Sequence, residues 1–282
     1  MKIWVTGANG LLGNALRSSV DFATTREEVD IGEIDSVSAF VKNYSGITHI
    51  VNAAAFSLVD LAEKEREQAF RANGIGPENL GLIANEIGAK VVHISTDYVF
   101  SGDLKRFLHE EDKTDPCNYY GVTKLEGEKR LQQVHPEACI IRTSWIFGSG
   151  GKNFVAKLFE MLQSAHEIRL AEDQWGRPTY VEDLKKVIFH MLDISGLYHF
   201  ANAEIASKYT FGVAMREEAE ALGFPVQNSR ILPVPSASFA APCRRPVYSP
   251  FDTRKIEKLL NRPIRSWRNA LREYLCDLSA RS

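Results

Sequence analysis

Residues 6–13 read TGANGLLG, and they follow at once on the apolar run KIWV at residues 2–5. A buried strand breaks at Gly7, and LLGNALRSS from residue 11 has helical spacing, so the order is strand, glycine turn, helix. Gly7, Gly10 and Gly13 stand three apart. Glycine here permits a tight turn. It also lets backbone N–H groups at the helix N-terminus approach a pyrophosphate, where the helix dipole favours negative charge. A glycine triplet alone is a weak signal. Between a strand and a helix it predicts a dinucleotide-binding turn, with Gly7, Asn9, Gly10, Leu11, Leu12 and Gly13 as candidate cofactor contacts.

Outward from the turn, VDFAT (20–24), ITHIVNAA (47–54), AKVVHIST (89–96) and ACIIRTSWIFG (138–148) are further runs of strand character. Helical stretches separate them. The one from about Glu65 to Gly88 contains Asn73, Gly74, Gly76 and Pro77, which predict a kink or a break. Continuous apolar strands alternating with helices mean a parallel sheet covered on both faces. The expected fold is α/β, a Rossmann-type doubly wound parallel sheet with a smaller C-terminal α/β substrate lobe. Residues 1–148 form the dinucleotide-binding domain and 149–282 most of the lobe, a helix near 180–193 packing back on the first domain.

Composition narrows the class. The 282 residues are 44% hydrophobic and 25% charged, as in a soluble globular protein. A net charge of −2 gives no reason to expect nucleic-acid or acidic-membrane partners. Cys117, Cys139, Cys243 and Cys276 are scattered, without metal-ligand spacing, so neither a zinc site nor a disulfide framework is expected. The glycine turn comes too early for a signal peptide, and no apolar run approaches the ~18 residues of a membrane span. The expected location is cytoplasmic.

The tip of the second strand reads ATTREEVD (23–30). An acidic residue there binds the ribose 2′-hydroxyl of NAD, whereas an arginine favours the 2′-phosphate of NADP. Thr24, Thr25 and Arg26 come first, and no carboxylate appears until Glu27. Arg26 is either a 2′-phosphate partner or a solvated turn residue. NADPH is the expected cofactor and NADH the alternative.

Further on, YYGVTK (119–124) opens a helix. Tyr120 and Lys124 are one turn apart on one face, and Tyr119 is off that face. A free phenol titrates near ~10 and is a poor acid at neutral pH. A lysine beside it is expected to lower that value, so that the tyrosine can protonate a carbonyl oxygen as hydride reaches the carbon. HISTDYVF (93–100) supplies Ser95 and Thr96 at the end of a parallel strand, where ligands sit in open α/β sheets. The three elements in this order point to carbonyl reduction.

The order GANGLLG, NAAA, STDYVF, YxxxK, RTSW resembles an extended short-chain dehydrogenase/reductase and is most similar to the dTDP-4-dehydrorhamnose reductase family. EDQWGRPTY, GLYHFANAE with YTFGVAMREEAEALG, and RRPVYSPFDTRKIEKLL continue the resemblance through the C-terminal half. It implies NADPH-dependent reduction of the C4 keto group of dTDP-4-dehydrorhamnose to dTDP-L-rhamnose. By the same resemblance Thr96 orients the carbonyl, Tyr120 donates the proton and Lys124 stabilises the phenolate and holds the nicotinamide ribose. Asp30, Ile31, Ala53, Ala54 and Ala55 flank the cofactor, as do Tyr120 and Lys124. Val59, Thr96, Trp145 and Arg245 face the sugar nucleotide. Leu11 stands where many members carry Gln. Ala15 replaces an acidic residue of members with a proposed interfacial magnesium site, so no metal is expected, and monomer and homodimer both stay open.

Plainer readings stand beside these. Trp145 at a strand end also suits a core or lobe-interface residue, and Arg244 and Arg245 also suit a solvated loop. His93, in mid-strand, reads as a satisfied core histidine, and EKERE (63–67) as a solvated helix face. Two other functions compete. One is a non-catalytic regulator resembling the β subunit of methionine adenosyltransferase, which keeps much of the same motif set. The other is a reductase of a different keto-sugar nucleotide.

Overall fold

The structure, a computed structural model, describes residues 1–151, 153–226 and 228–280. Six strands form the main sheet: β1 (Ile3–Thr6), β2 (Phe22–Thr24), β3 (His49–Asn52), β4 (Lys90–Thr96), β5 (Cys139–Thr143) and, much later in the chain, β10 (Gly196–His199). Their order is β10-β5-β4-β3-β1-β2, and every pairing is parallel. Adjacent residues of each inner strand face opposite cores. Trp4, Ile50, Val91 and Ile140 are buried on one side, and Val5, Val51, Val92 and Ile141 on the other. That is why these strands read as unbroken apolar runs rather than as alternating ones.

Helices cover both faces. The first half contributes α1 (Leu11–Arg17), α2 (Ile34–Asn43), α3 (Val59–Ala62), α4 (Arg66–Phe70), α5 (Gly76–Ile87) and α6 (Tyr119–Val134). The chain leaves β1 for β2 on one side and returns to β3 on the other. The loops after β1 and β3 therefore diverge and leave a crevice at the carboxyl ends of the strands.

The expected break inside 65–88 is a π-helical turn, Arg71–Ile75, joining α4 to α5. The wide turn carries Asn73 into the interior. Its Nδ2 donates to Phe56 O (3.1 Å) and to Thr123 Oγ1 (3.0 Å), and its Oδ1 accepts from Phe56 N (2.8 Å). One side chain thus ties the loop after β3 to α6. Gly127 of α6 packs so close that a Cβ there would lie 2.0 Å from Asn73 O. Only glycine lets the two helical segments approach this way.

The second half holds β6 (Ile146–Phe147), α7 (Phe154–Ser164), β7 (Glu167–Ala171), β8 (Trp175–Gly176), β9 (Thr179–Tyr180) and α8 (Val181–Met191), which precede β10. After β10 come β11 (Ala206–Ser207), α9 (Lys208–Ala221), β12 (Arg230–Val234), α10 (Arg254–Leu260) and α11 (Trp267–Ser279). Helix α8 packs on α1 beneath the main sheet. Beyond the sheet, β7 pairs with β12, β8 with β11 and β6 with β9. ACIIRTSWIFG is not one strand. Trp145, at φ 47° in the left-handed region, separates β5 from β6 and turns the chain out of the sheet. Among the described residues no helix is long and apolar enough to cross a membrane.

Candidate active site

The crevice beside β1 is a cleft of about 220 Å³. Gly7, Asn9 and Gly10 line it from the turn, Ala53, Ala54 and Ala55 from the loop after β3, and Arg26, Asp30 and Ile31 from beyond β2. Gly7 has φ 76°, and a Cβ on it would lie 2.6 Å from Ala54 Cα. Backbone sign and space both demand glycine. Helix α1 has Gly10 at its N-cap and no side-chain cap, so its first N–H groups lack the side-chain acceptor that most helices supply. They fit a pyrophosphate. Leu11 is half-buried, whereas the Leu12 side chain points into the core. Gly13 backs the turn, a Cβ there falling 2.1 Å from Gly7 O. From Leu12 and Gly13 only the backbone remains for a ligand.

Arg26 is 57% exposed and pairs loosely with Asp30 (Nε–Oδ2 3.7 Å). Asp30 is held more firmly from behind by the Arg71 guanidinium, which also reaches Glu33 at 3.0 Å. Arg26 and Asp30 thus line the cleft, with Arg71 behind the carboxylate and Arg26 the more exposed of the two arginines. Arg71 carried no signal in the sequence, because it arrives from the π turn some forty positions away.

Tyr120, Lys124 and Thr96 come together at the end of β4. Asn118 caps α6, its Oδ1 accepting from Gly121 N at 2.9 Å, and Glu63 Oε1 accepts from Tyr119 N at 2.7 Å. Glu63, expected on a solvated face, instead helps to secure the start of α6. Asn118 Nδ2 donates to Arg244 O at 2.9 Å, which ties the Arg-Pro loop to the same helix start. The Tyr120 ring meets Tyr98 edge-on at 5.5 Å between centroids.

Lys124 is 2% exposed. Its Nζ donates to Ile94 O at 2.7 Å and lies 3.4 Å from His93 Nε2. The tautomer of His93 follows from its neighbours. Asn52 Oδ1 accepts from the Thr6 hydroxyl (2.9 Å) and from Ala54 N (3.1 Å), so Asn52 Nδ2 faces His93 Nδ1 (3.0 Å) and donates to it. The imidazole proton then sits on Nε2, turned toward the lysine. Burial, aided by Lys124, holds His93 neutral. A chain of contacts thus runs from the glycine-turn strand through β3 and β4 to Lys124. It begins beside Ala54, on the wall of the cofactor cleft.

The electrostatics depart from the simple expectation. Burial pushes the Tyr120 phenol up to about 12, against the lowering influence of the neighbouring Thr96 hydroxyl and with the Asp97 charge adding to the rise. Lys124 does not pull it down. Desolvation drives Lys124 itself down to about 8, partly offset by Glu128. The lysine is hydrogen-bonded to Ile94 O rather than to the phenol. Asp97 is pushed up to about 6 by burial, although Ser249 Oγ (2.6 Å) and Thr96 Oγ1 (3.2 Å) both donate to it. Ser95 belongs to another cluster: its hydroxyl and Arg142 bind the buried Glu128 carboxylate, which clamps α6 onto β4 and β5. Of the two hydroxyls at the strand end, Thr96 is the one beside Tyr120.

The remaining predicted residues come from α3, the Arg-Pro loop and the turn after β5. Val59 begins α3, which packs by α6. Arg245 donates to Asp60 Oδ2 at 2.8 Å, and Cys243 Sγ lies 3.3 Å from Asp60 Oδ1. The Trp145 indole rests on Gly176, where a Cβ would fall 2.7 Å from Cε2. Over its ring lies Lys208 Nζ, 3.3 Å from the centroid. Tyr98, Asp60 and Lys208 join the predicted residues here. Tyr98 stood inside STDYVF, but nothing local marks Asp60 or Lys208.

A parallel sheet with a glycine turn at its switch point and a Tyr/Lys/Thr cluster at the adjoining strand end defines an extended short-chain dehydrogenase/reductase, an NAD(P)H-dependent oxidoreductase. The family model for the RmlD substrate binding domain matches residues 1–280. The dTDP-4-dehydrorhamnose reductase of Escherichia coli is 36% identical, over 99% of this chain and 98% of its own. SpsK of Bacillus subtilis, a spore coat polysaccharide biosynthesis protein, is 38% identical over 99% and 98%. The solved dTDP-4-dehydrorhamnose reductase of Bacillus anthracis, in complex with NADP, superposes with a TM-score of 0.91 at 33% identity, covering 98% of this chain and 100% of that one. The chain belongs to the dTDP-4-dehydrorhamnose reductase family.

Proposed function

We propose that the protein reduces the C4 carbonyl of dTDP-4-dehydro-6-deoxy-L-mannose to give dTDP-L-rhamnose, using NADPH, with Tyr120 as proton donor. The observation that carries this reading is the placement of the buried Tyr120 phenol beside Thr96 at the end of β4, next to a cleft lined by the glycine turn. NADPH, when bound along that cleft, supplies the hydride. Thr96 and Tyr120 bracket the substrate oxygen, and the phenol gives its proton as negative charge develops there. A phenol near 12 is protonated throughout the working range. It is thus in the donor form, and the thermodynamic push for transfer comes from the alkoxide, a stronger base than phenolate. Lys124, fixed by Ile94 O, does not act on the phenol in this fold, and its part would be to hold the nicotinamide ribose. Arg26, exposed on the cleft wall, would hold the 2′-phosphate as a charge-assisted partner. Trp145 and Val59 flank the sugar, and Arg245 faces its diphosphate. The substrate and cofactor are soluble metabolites, in keeping with action in the cytoplasm.

Turnover of dTDP-4-dehydrorhamnose with NADPH oxidation, and NMR of the product at C4, tests the proposal. A small panel of other keto-sugar nucleotides tests the choice of sugar. NADPH binding without turnover of any of them would refute the enzyme reading and favour the binding-only regulator.

A further inference from the structure

Lys208 heads α9, and its backbone is firmly rooted. Ser207 Oγ accepts from Thr210 N (3.0 Å) in a capping box, and Lys208 N donates to Gln174 O (3.2 Å). From there the side chain reaches the rings of Trp145 and Phe154, its Nζ 3.3 and 4.4 Å from the two centroids. Both rings are uncharged. Among the described residues no carboxylate comes within ion-pair distance of Nζ. The charges that act on it from neighbouring elements are Asp97, at the end of β4, which attracts, and Arg245, in the Arg-Pro loop, which repels. Asp97 is a weak counter-ion, since burial disfavours its own charge and Ser249 and Thr96 already bind it. Arg245 is incompletely satisfied too. Its Nη2 reaches Asp60, but its Nε is buried without a hydrogen-bond partner.

Two cations therefore lie near each other: Lys208 N binds Gln174 O, and the next residue, Trp175, donates its N–H to Val247 O, two positions past Arg245. They repel each other, and one of them holds an orphaned N–H. Buried charge without a partner is costly. An anion between them would remove the repulsion and supply the missing acceptor. We propose that Lys208 is a substrate-binding residue which, with Arg245, holds the diphosphate of a nucleoside-diphosphate sugar. The aromatic box is the resting place of its ammonium, held by cation–π attraction until that anion arrives. The inference rests on the sugar-nucleotide reading above and adds to it a residue from the second half of the chain. Desolvation by the rings pushes Lys208 down to about 7, so its protonation is coupled to binding. The contribution is full below that value and fades as pH rises through the higher value Lys208 takes beside a bound anion.

The test is calorimetric titration of the NADPH-bound protein with dTDP-glucose, whose diphosphate stays fully ionised between pH 6 and 9, and with uncharged thymidine. Lys208→Met should weaken dTDP-glucose at least about tenfold, equivalent to about 1.4 kcal/mol. It should leave thymidine and NADPH unchanged, and Lys208→Arg should restore most of the loss. Wild-type affinity for dTDP-glucose should fall between pH 7 and 9, and the Met variant should be flat there. Undiminished dTDP-glucose binding by Lys208→Met, or an equal loss for thymidine, would overturn the assignment while leaving the sugar-nucleotide reading intact. A wild-type protein that does not bind dTDP-glucose would overturn both.

Discussion

Replacing Lys124 by methionine should make the protein more stable and inactive. The folded structure holds this lysine at about 8 against an ordinary 10.5. At ~1.4 kcal/mol per pH unit, that gap means its charge costs the fold about 3 kcal/mol at pH 7. Methionine has a similar stem and volume, so the core should repack with little strain. The variant loses the 2.7 Å hydrogen bond to Ile94 O, worth about 1 kcal/mol. The expected net gain is thus about 2 kcal/mol at pH 7. The sign of the pH dependence is fixed by the lowered value. The penalty is fully present below about 8 and disappears as pH climbs from there to 10.5, because the unfolded chain still binds the proton. At pH 9.5 the expected advantage of the variant has shrunk to roughly zero. Urea denaturation of both proteins without cofactor, at pH 7 and 9.5, measures this, and NADPH oxidation measures the loss of turnover. A variant less stable than wild type at pH 7, with a difference that does not move with pH, would refute the reasoning. Lys124 would then be a favourable anchor rather than a charge held at a cost for catalysis.

Tyr120→Phe should lower kcat by about 10²–10⁴ with NADPH affinity unchanged, and Tyr119→Phe should not, since only Tyr120 meets Thr96. Steady-state rates of the folded variants decide it, and a fully active Tyr120→Phe sinks the proton-donor role. Arg26→Ala should weaken NADPH by about 1.5–3 kcal/mol at most and leave NADH nearly unchanged. Fluorescence titration with both cofactors checks this, and equal effects would return Arg26 to a solvated turn. Trp145→Ala should raise the KM for the sugar nucleotide about tenfold or more while sparing the Kd for NADPH, because the indole lies between Gly176 and Lys208 and away from the cofactor cleft. An equal loss of NADPH affinity would make Trp145 structural.

The features legible in the amino-acid order are local. TGANGLLG is legible because its glycines, the strand before it and the helix after it are neighbours in the chain, and the demands on φ and on helix N–H groups are met within eight residues. The buried strands are legible because a sheet covered on both faces leaves no polar alternation. Tyr120 and Lys124 are readable as a pair because one helical turn fixes their spacing. Strand β12 has no such local signature, because Pro233 masks a pairing with β7 that forms only in the folded lobe. Single residues could not announce the break at Trp145 either, since its left-handed backbone follows from pairing β6 with β9 rather than from any glycine.

Charge and partnership across elements come from the folded chain alone. Whether Lys124 acts on the phenol or on a carbonyl depends on where β4 lies under α6, and burial, a property of the whole fold, reversed the expected direction of the Tyr120 shift. Arg71 behind Asp30, Glu63 at the start of α6 and Lys208 on Trp145 each join residues far apart in sequence. No spacing rule links them. Hydrogen bonds and desolvation act over a few ångströms in space, and only the folded chain sets those distances.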